Sequence, residues 1–339
     1  MDDIDASTTS DWVRILAAYR EPNAIRSAVE LGVTVLPFLA IFALAWWILD
    51  HSWIAAMTLA VLNAGFLVRM FVIQHDCGHG SYFKNRALSD WVGRMLGVLT
   101  LTPYDVWRRT HAIHHAGAGN LDRRGIGDIL TLTVAEYRAL PLAGRIRYRL
   151  YRHPIVLFLL GPIYIFVIQN RLPVGLMRAG ARYWTSAMGT NVALAAILGA
   201  LLWFGGWKIV ALVLLPTIIV AGSAGVWLFF VQHQFEQTHW ERGNTWQLHD
   251  AALNGSSNYV LPPVLRWFSG NIGIHHVHHL YSRIPFYRLP EVLRDHAALA
   301  NAQRLTFLRS FACARLHLWD EAGRRLLSFA EARRLSAVA

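Results

Sequence analysis

The 339-residue chain is poor in cysteine and in charge. Its two cysteines, Cys77 and Cys313, form no CxxC pair and no disulfide pattern. That excludes a disulfide scaffold, a thiolate zinc site and an iron–sulfur cluster, and it suits a reducing compartment. Charged residues make up 16% of the chain, against about 25% in an ordinary soluble domain, so a conventional water-facing surface is excluded. No glycine-rich dinucleotide fingerprint follows a strand pattern, and no His-Pro-Gly-Gly haem motif occurs. There is no internal repeat or low-complexity tract, and the acidic, polar start MDDIDASTTSDW does not read as a cleavable signal peptide.

What is abundant is apolar and aromatic. Hydrophobic residues reach 55%, with 14 Trp, 11 Tyr and 16 Phe, and mean hydropathy is +0.33. This composition describes an integral membrane protein forming one unit. The formal charge of +11 would suggest nucleic acid in a soluble chain. Here the Lys and Arg lie mostly outside the apolar runs, which is the positive-inside pattern, and no nucleic-acid partner is expected. Residues 31–50 and 53–74 are each long enough to span, joined by a short turn. Residues 189–205 and 208–232 form a second hairpin around Gly205 and Gly206. Two apolar stretches, 91–102 and 155–170, are short or broken (Gly161-Pro162 in the latter) and are expected at the interface. Residues 1–30 read as a polar segment ending in an interfacial helix near 11–20, and 301–339 as an amphipathic tail with Leu305, Leu308, Ala312, Leu316 and Trp319 on one helical face.

Histidines concentrate at the ends of these runs. HDCGH places His75 and His79 at i, i+4. HAIHH places His111, His114 and His115 at i, i+3, i+4, and HHVHH repeats that spacing at His275, His278 and His279. On helices these offsets put side chains on one face about 5–6 Å apart. A single pair would be weak evidence for a metal. Eight imidazoles in three matched boxes serve no packing purpose, because buried polar groups need partners. They exceed what one ion takes, so two are implied, and imidazole alone does not choose among Fe, Zn, Cu and Ni. All boxes must share one membrane face, so an even number of crossings separates His115 from His275; with 155–170 in the interface, the chain has four spans. Lys84, Arg86, Arg94, Arg108, Arg109, Arg123 and Arg124 flank the boxes, while the turn at 51–52 has no Lys or Arg. The histidine face is therefore expected to be cytoplasmic.

The boxes HxxxH, HxxHH and HxxHH, set among two apolar hairpins over roughly 30–300, resemble the membrane-bound fatty acid desaturase family. HDCGHGSYF, TPYDVWRRTHAIHH, GNLDRRGIGD and GNIGIHHVHHLYSRIPFYRLPE are similar to its bacterial and plant-type omega-6, delta-12-like acyl-lipid branch. The resemblance implies an all-α integral membrane fold, with four transmembrane helices in two hairpins and a cytoplasmic helical cap, 31–300 being the desaturase domain. It implies two iron ions on His75, His79, His111, His114, His115, His275, His278 and His279, with His233 in FVQHQFE as a further ligand. Asp76, Asp105, Asp128 and Asn271 are candidates to orient imidazole N–H groups from behind. His276, His239, His51, His153, His249, His296 and His317 are not assigned to the site.

The implied reaction is O2-dependent removal of two hydrogens from adjacent carbons of a lipid acyl chain, leaving a cis double bond. Its electrons would come from an external donor, expected to be an acidic ferredoxin docking on the basic face. A bacterial inner membrane location follows from the same resemblance. An alkyl chain needs a narrow apolar path. Tyr104, Trp107, Trp227 and Phe230 lie near the boxes and could line it, although interface packing is the plainer reading of each. The rival on the same scaffold is a hydroxylase, ketolase or epoxidase, which the boxes do not separate. A metal transporter would need ionisable residues inside the spans, and within 31–49, 53–74, 191–204 and 209–232 only Arg69, near an end, is present.

Overall fold

The structure, a computed structural model, describes residues 9–338. It is mostly helical, and seven helices position the site: α1 (Ala24–Ile48), α2 (Trp53–His79), α3 (Arg86–Leu99), α4 (Tyr104–Gly117), α5 (Ala181–Ile209), α6 (Leu215–His233) and α7 (His275–Leu280). Among the described residues, three helical segments are long and apolar enough to cross a membrane: Ala24–Ile48, Trp53–His79 and the continuous run Ala181–His233. A bent pair, Leu142–Tyr151 with Val156–Arg171, makes a fourth candidate, broken by 61°.

The first hairpin is fixed at both ends. Asn23 and Ser52 cap α1 and α2 by accepting from Arg26 N–H and Ala55 N–H. At the open end, Ser27 Oγ donates to the Tyr82 carbonyl at 2.7 Å, and Tyr82 hydroxyl donates to the Ser27 carbonyl at 2.7 Å. This reciprocal pair ties the start of α1 to the segment just past the end of α2.

The run from Ala181 to His233 has 53 residues and would be about 80 Å long if straight. Yet both its ends touch α4, which has 14 residues and is about 21 Å long. Arg182 Nε donates to Asp105 Oδ1 at 3.0 Å, and His233 Nε2 lies 3.1 Å from His114 Nε2. The run must therefore fold back, and it does so at Gly206, with φ 64° and ψ −170°, a conformation essentially confined to glycine. The two hairpin tips meet: Ala45, Leu49, Ala56 and Ala60 of the first pack with Ile209 and Val213 of the second. Gly206→Ala is expected to destabilise the fold by about 1–3 kcal/mol, read as a lower melting temperature in detergent.

The sequence expectation of a long amphipathic helix over 305–319 does not hold. The chain there runs as strand Arg304–Thr306, helix Phe307–Cys313 and strand Leu318–Asp320. Leu305 is buried by parallel pairing with Asn258–Val260, and Trp319 by pairing with Leu132–Thr133 and Arg325–Leu327, while Leu308 is 79% exposed. A few apolar residues at helical spacing were satisfied by two sheets instead of one helix face. These short strands depart from the all-α expectation. Where an interfacial helix was expected near 11–20, a helix runs over Thr9–Leu16, followed by a tight turn to Tyr19, and residues 1–8 lie outside the described part.

Candidate di-metal site

Nine histidines converge at the open ends of the two hairpins, in two groups whose donor atoms lie within 4.8 Å of one another. The first group is His75, His79, His111, His115 and His278; the second is His114, His233, His275 and His279. Helix geometry explains the division. On α4 the i, i+4 pair His111 and His115 points one way, and His114, about 100° around the helix from His115, points to the other group. On α7 the roles reverse: His275 and His279 join the second group and His278 crosses to the first. The two groups touch where His115 stacks on His279, with centroids 4.1 Å apart.

Both groups suit metal ions in their neutral form. His233 Nδ1 lies 3.2 Å from the Gly255 carbonyl, which can only accept, so Nδ1 carries the proton and Nε2 a lone pair. His114 Nδ1 faces the Asp128 carboxylate in the same way. The two Nε2 lone pairs then oppose each other at 3.1 Å, a repulsive arrangement that a cation between them relieves. In the first group, Nε2 atoms follow one another at 3.0, 3.1 and 3.1 Å from His79 through His111 and His115 to His278. One proton per nitrogen can make at most two of these three contacts hydrogen bonds. His75 Nε2 and His279 Nε2 are buried with no partner among the described residues. Burial, reinforced by neighbouring imidazoles, holds His111, His115, His275, His278 and His279 well below the ordinary histidine pKa, which keeps their lone pairs free for a metal.

Two of the four residues named as supports touch imidazoles. Asp128 accepts from His114. Asp76 lies 3.2 Å from His75 Nδ1 and also accepts from Phe286 N–H at 2.7 Å, fastening the loop after α7 to the end of α2. Asp105 is bonded instead to Arg94 and Arg182, and Asn271 donates to the Phe286 carbonyl from a left-handed backbone, φ 55°. Both hold helices, not imidazoles. Asp128→Asn is expected to weaken metal retention by about 10–100-fold, measured as metal content after dialysis against a graded chelator.

Of the aromatic residues considered for an apolar path, Trp107 alone reaches the site. It stacks on His111 at 4.7 Å and lies 5.6 Å from His75. Gly78 permits this, because a Cβ there would sit 2.7 Å from the Trp107 ring. Tyr104 is buried and donates to Asp90, while Trp227 and Phe230 pack with Phe158. Sequence reasoning missed Phe229, which faces His114 and His233 at 5.1 and 5.3 Å. It stands one turn before His233, so the i−4 offset was the available signal. The Gly255 carbonyl carried no signal, since any residue supplies one. His276 turns away and meets the Leu299 carbonyl at 2.9 Å. None of His51, His153, His239, His249, His296 and His317 joins either group.

Apolar hairpins carrying two adjoining imidazole groups at one end, six of the nine rings buried, define the class: a membrane-associated fold with histidine clusters able to hold metal. Residues 51–311 match the sequence profile of the fatty acid desaturase family, and the chain belongs to that family. It is 43% identical over 314 residues, 93% of this chain and 89% of the relative, to a fatty acid desaturase of Bacillus subtilis (strain 168). It is 29% identical over 286 residues (79% and 74% covered) to an sn-1 acyl-lipid omega-3 desaturase (ferredoxin) of Synechocystis, and 25% identical over 263 residues (77% and 72%) to an sn-1 oleoyl-lipid 12-desaturase from the same organism. The chain is a fatty acid desaturase, an oxidoreductase with histidine clusters able to hold metal.

Proposed function

We propose that the chain is an O2-dependent acyl-lipid desaturase that forms a cis double bond at a di-iron centre held by His75, His79, His111, His115 and His278 on one side and His114, His233, His275 and His279 on the other. The observation that carries this reading is the pair of adjoining groups, each with donor atoms within 4.8 Å, at the mouth of apolar hairpins. When bound, two iron ions supply the redox chemistry by which dioxygen removes two hydrogens from neighbouring carbons. The protein positions and protects. Asp76, Asp128 and the Gly255 carbonyl fix imidazole orientation and tautomer. Burial of most of the imidazoles excludes bulk water. Trp107 and Phe229 place apolar ring surface against each group, where an alkyl chain can lie.

Residues 31–300 form the working unit, with four crossings. Both hairpin tips lie outside and every box lies on the cytoplasmic face of a bacterial inner membrane. The bent segment 142–171 lies along the interface. The fold-back at Gly206 and the basic residues around the boxes support this orientation. The electron donor is a ferredoxin, as the names of the relatives from Synechocystis and Nostoc state for those enzymes, and it meets the basic cytoplasmic face. Fatty-acid methyl ester profiles of host cells expressing the chain, beside His114→Ala, test the reading. A new unsaturated acyl species absent in the variant supports it and gives the bond position. A hydroxy or keto species moves it to the sister chemistry, and no new acyl species in cells with abundant protein and donor overturns it.

A further inference from the structure

A small cavity adjoins the four-imidazole group on the side of the loop after α4. Its walls include His114 and His233, the carboxylate-bearing Asp128, the apolar Ala118 and Phe229, and Trp240. It is just large enough for one water-sized molecule. Trp240 is 6% exposed, and its indole nitrogen is buried with no hydrogen-bond partner among the described residues. An indole N–H donates and cannot accept. A buried donor left unmet is uncommon in a folded protein, so the occupant it calls for is a small acceptor. The five-imidazole group contributes no wall.

We propose that this cavity is the port by which dioxygen reaches the metal centre from the cap side, held at rest by one water that accepts from Trp240 Nε1–H. The port rests on the desaturase reading above, in which a long apolar reactant and several small ones meet at one centre. An acyl chain must approach along apolar surface. The other reactants are small: one dioxygen, two electrons from the external donor and two protons, which with the two hydrogens taken from the chain leave as two waters. A pocket for one small molecule, with a polar donor on one wall and imidazoles on another, suits the small reactants and is closed to an alkyl chain by size.

The test uses the full-length, metal-loaded protein with Trp240→Phe, which keeps the ring and loses the N–H, and Ala118→Leu, which fills the space. A density map fine enough to show ordered solvent is expected to place a water within hydrogen-bond distance of Trp240 Nε1, and to show none there in Ala118→Leu. Both variants are expected to raise the KM for dioxygen by about 2–10-fold, more than they lower kcat, with metal content unchanged. A map with no density at Trp240, or a KM for dioxygen unchanged in both variants, overturns the proposal. Should Ala118→Leu fail to fold, Trp240→Phe decides the kinetic arm alone. Should the wild-type protein hold two ions and yet make no unsaturated product, the desaturase reading fails and the port with it. The density at Trp240 would then report only whether the cavity binds a small acceptor.

Discussion

His233→Ala is expected to abolish unsaturated product, a loss of at least about 100-fold, since outer partners of metal ligands alone cost about 10–100-fold. His233 is central to its group. Its Nε2 lies 3.1 Å from that of His114 and 3.0 Å from that of His275, and its ring is 4.9 Å from that of His279. Removing it leaves three imidazoles and a cavity at the end of α6. Metal analysis of the purified variant is expected to show close to one ion lost per chain, with the five-imidazole group still loaded. Methyl ester profiling of the expressing cells reads the activity. Full desaturation with an unchanged metal content would show that His233 supports the site without holding metal. The control is His276→Gln. His276 sits beside His275 in sequence but bonds the Leu299 carbonyl, so its replacement should leave metal content intact.

The second large effect concerns stability. Arg69 and Glu30 are both buried, at 2% and 4% exposure, where α1 packs on α2. Arg69 donates to Glu30 Oε2, to Thr34 Oγ1 at 3.1 Å and to the Trp267 carbonyl, and its guanidinium lies 4.0 Å over the Trp267 ring. Glu30 is also reached by Arg26 at 2.7 Å. Glu30→Ala leaves a buried guanidinium without its carboxylate and is expected to cost about 3–5 kcal/mol. Replacing both partners together, as Glu30→Leu with Arg69→Met, should cost much less than the single change, because no buried charge is left unpaired and Arg26, which loses Glu30, faces solvent. Melting in detergent, with the three variants measured at one heating rate, checks this. A single variant as stable as the wild type would show that water reaches the pair.

Much of the site was legible because its code is local. The offsets i, i+3 and i+4 are properties of a helix, so His75, His79, His111, His114, His115, His275, His278 and His279 announced a shared purpose before any packing was known. Length and hydropathy likewise announced α1, α2 and the Ala181–His233 run, and Gly205-Gly206 announced the fold-back. Asp105 and Asn271 show the limit. A carboxylate six residues before a box and an amide four residues before another are close in sequence, but one faces Arg94 and Arg182 and the other the Phe286 carbonyl. A side chain's partner is chosen by whatever neighbouring elements bring to it.

The sequence by itself determined that the chain is apolar enough to enter a membrane and which imidazoles are spaced for ligation. Only the tertiary structure decided how they are shared. The pairs His111/His115 and His275/His279 go to opposite groups, while His114 and His278 each cross to the other. Spacing fixes the angle between side chains on one helix, but not where that helix points. That direction came from packing among α2, α4, α6 and α7. The same packing supplied what no motif encodes: the Gly255 carbonyl behind His233, the Trp107 ring over His111 and the cavity beside Trp240.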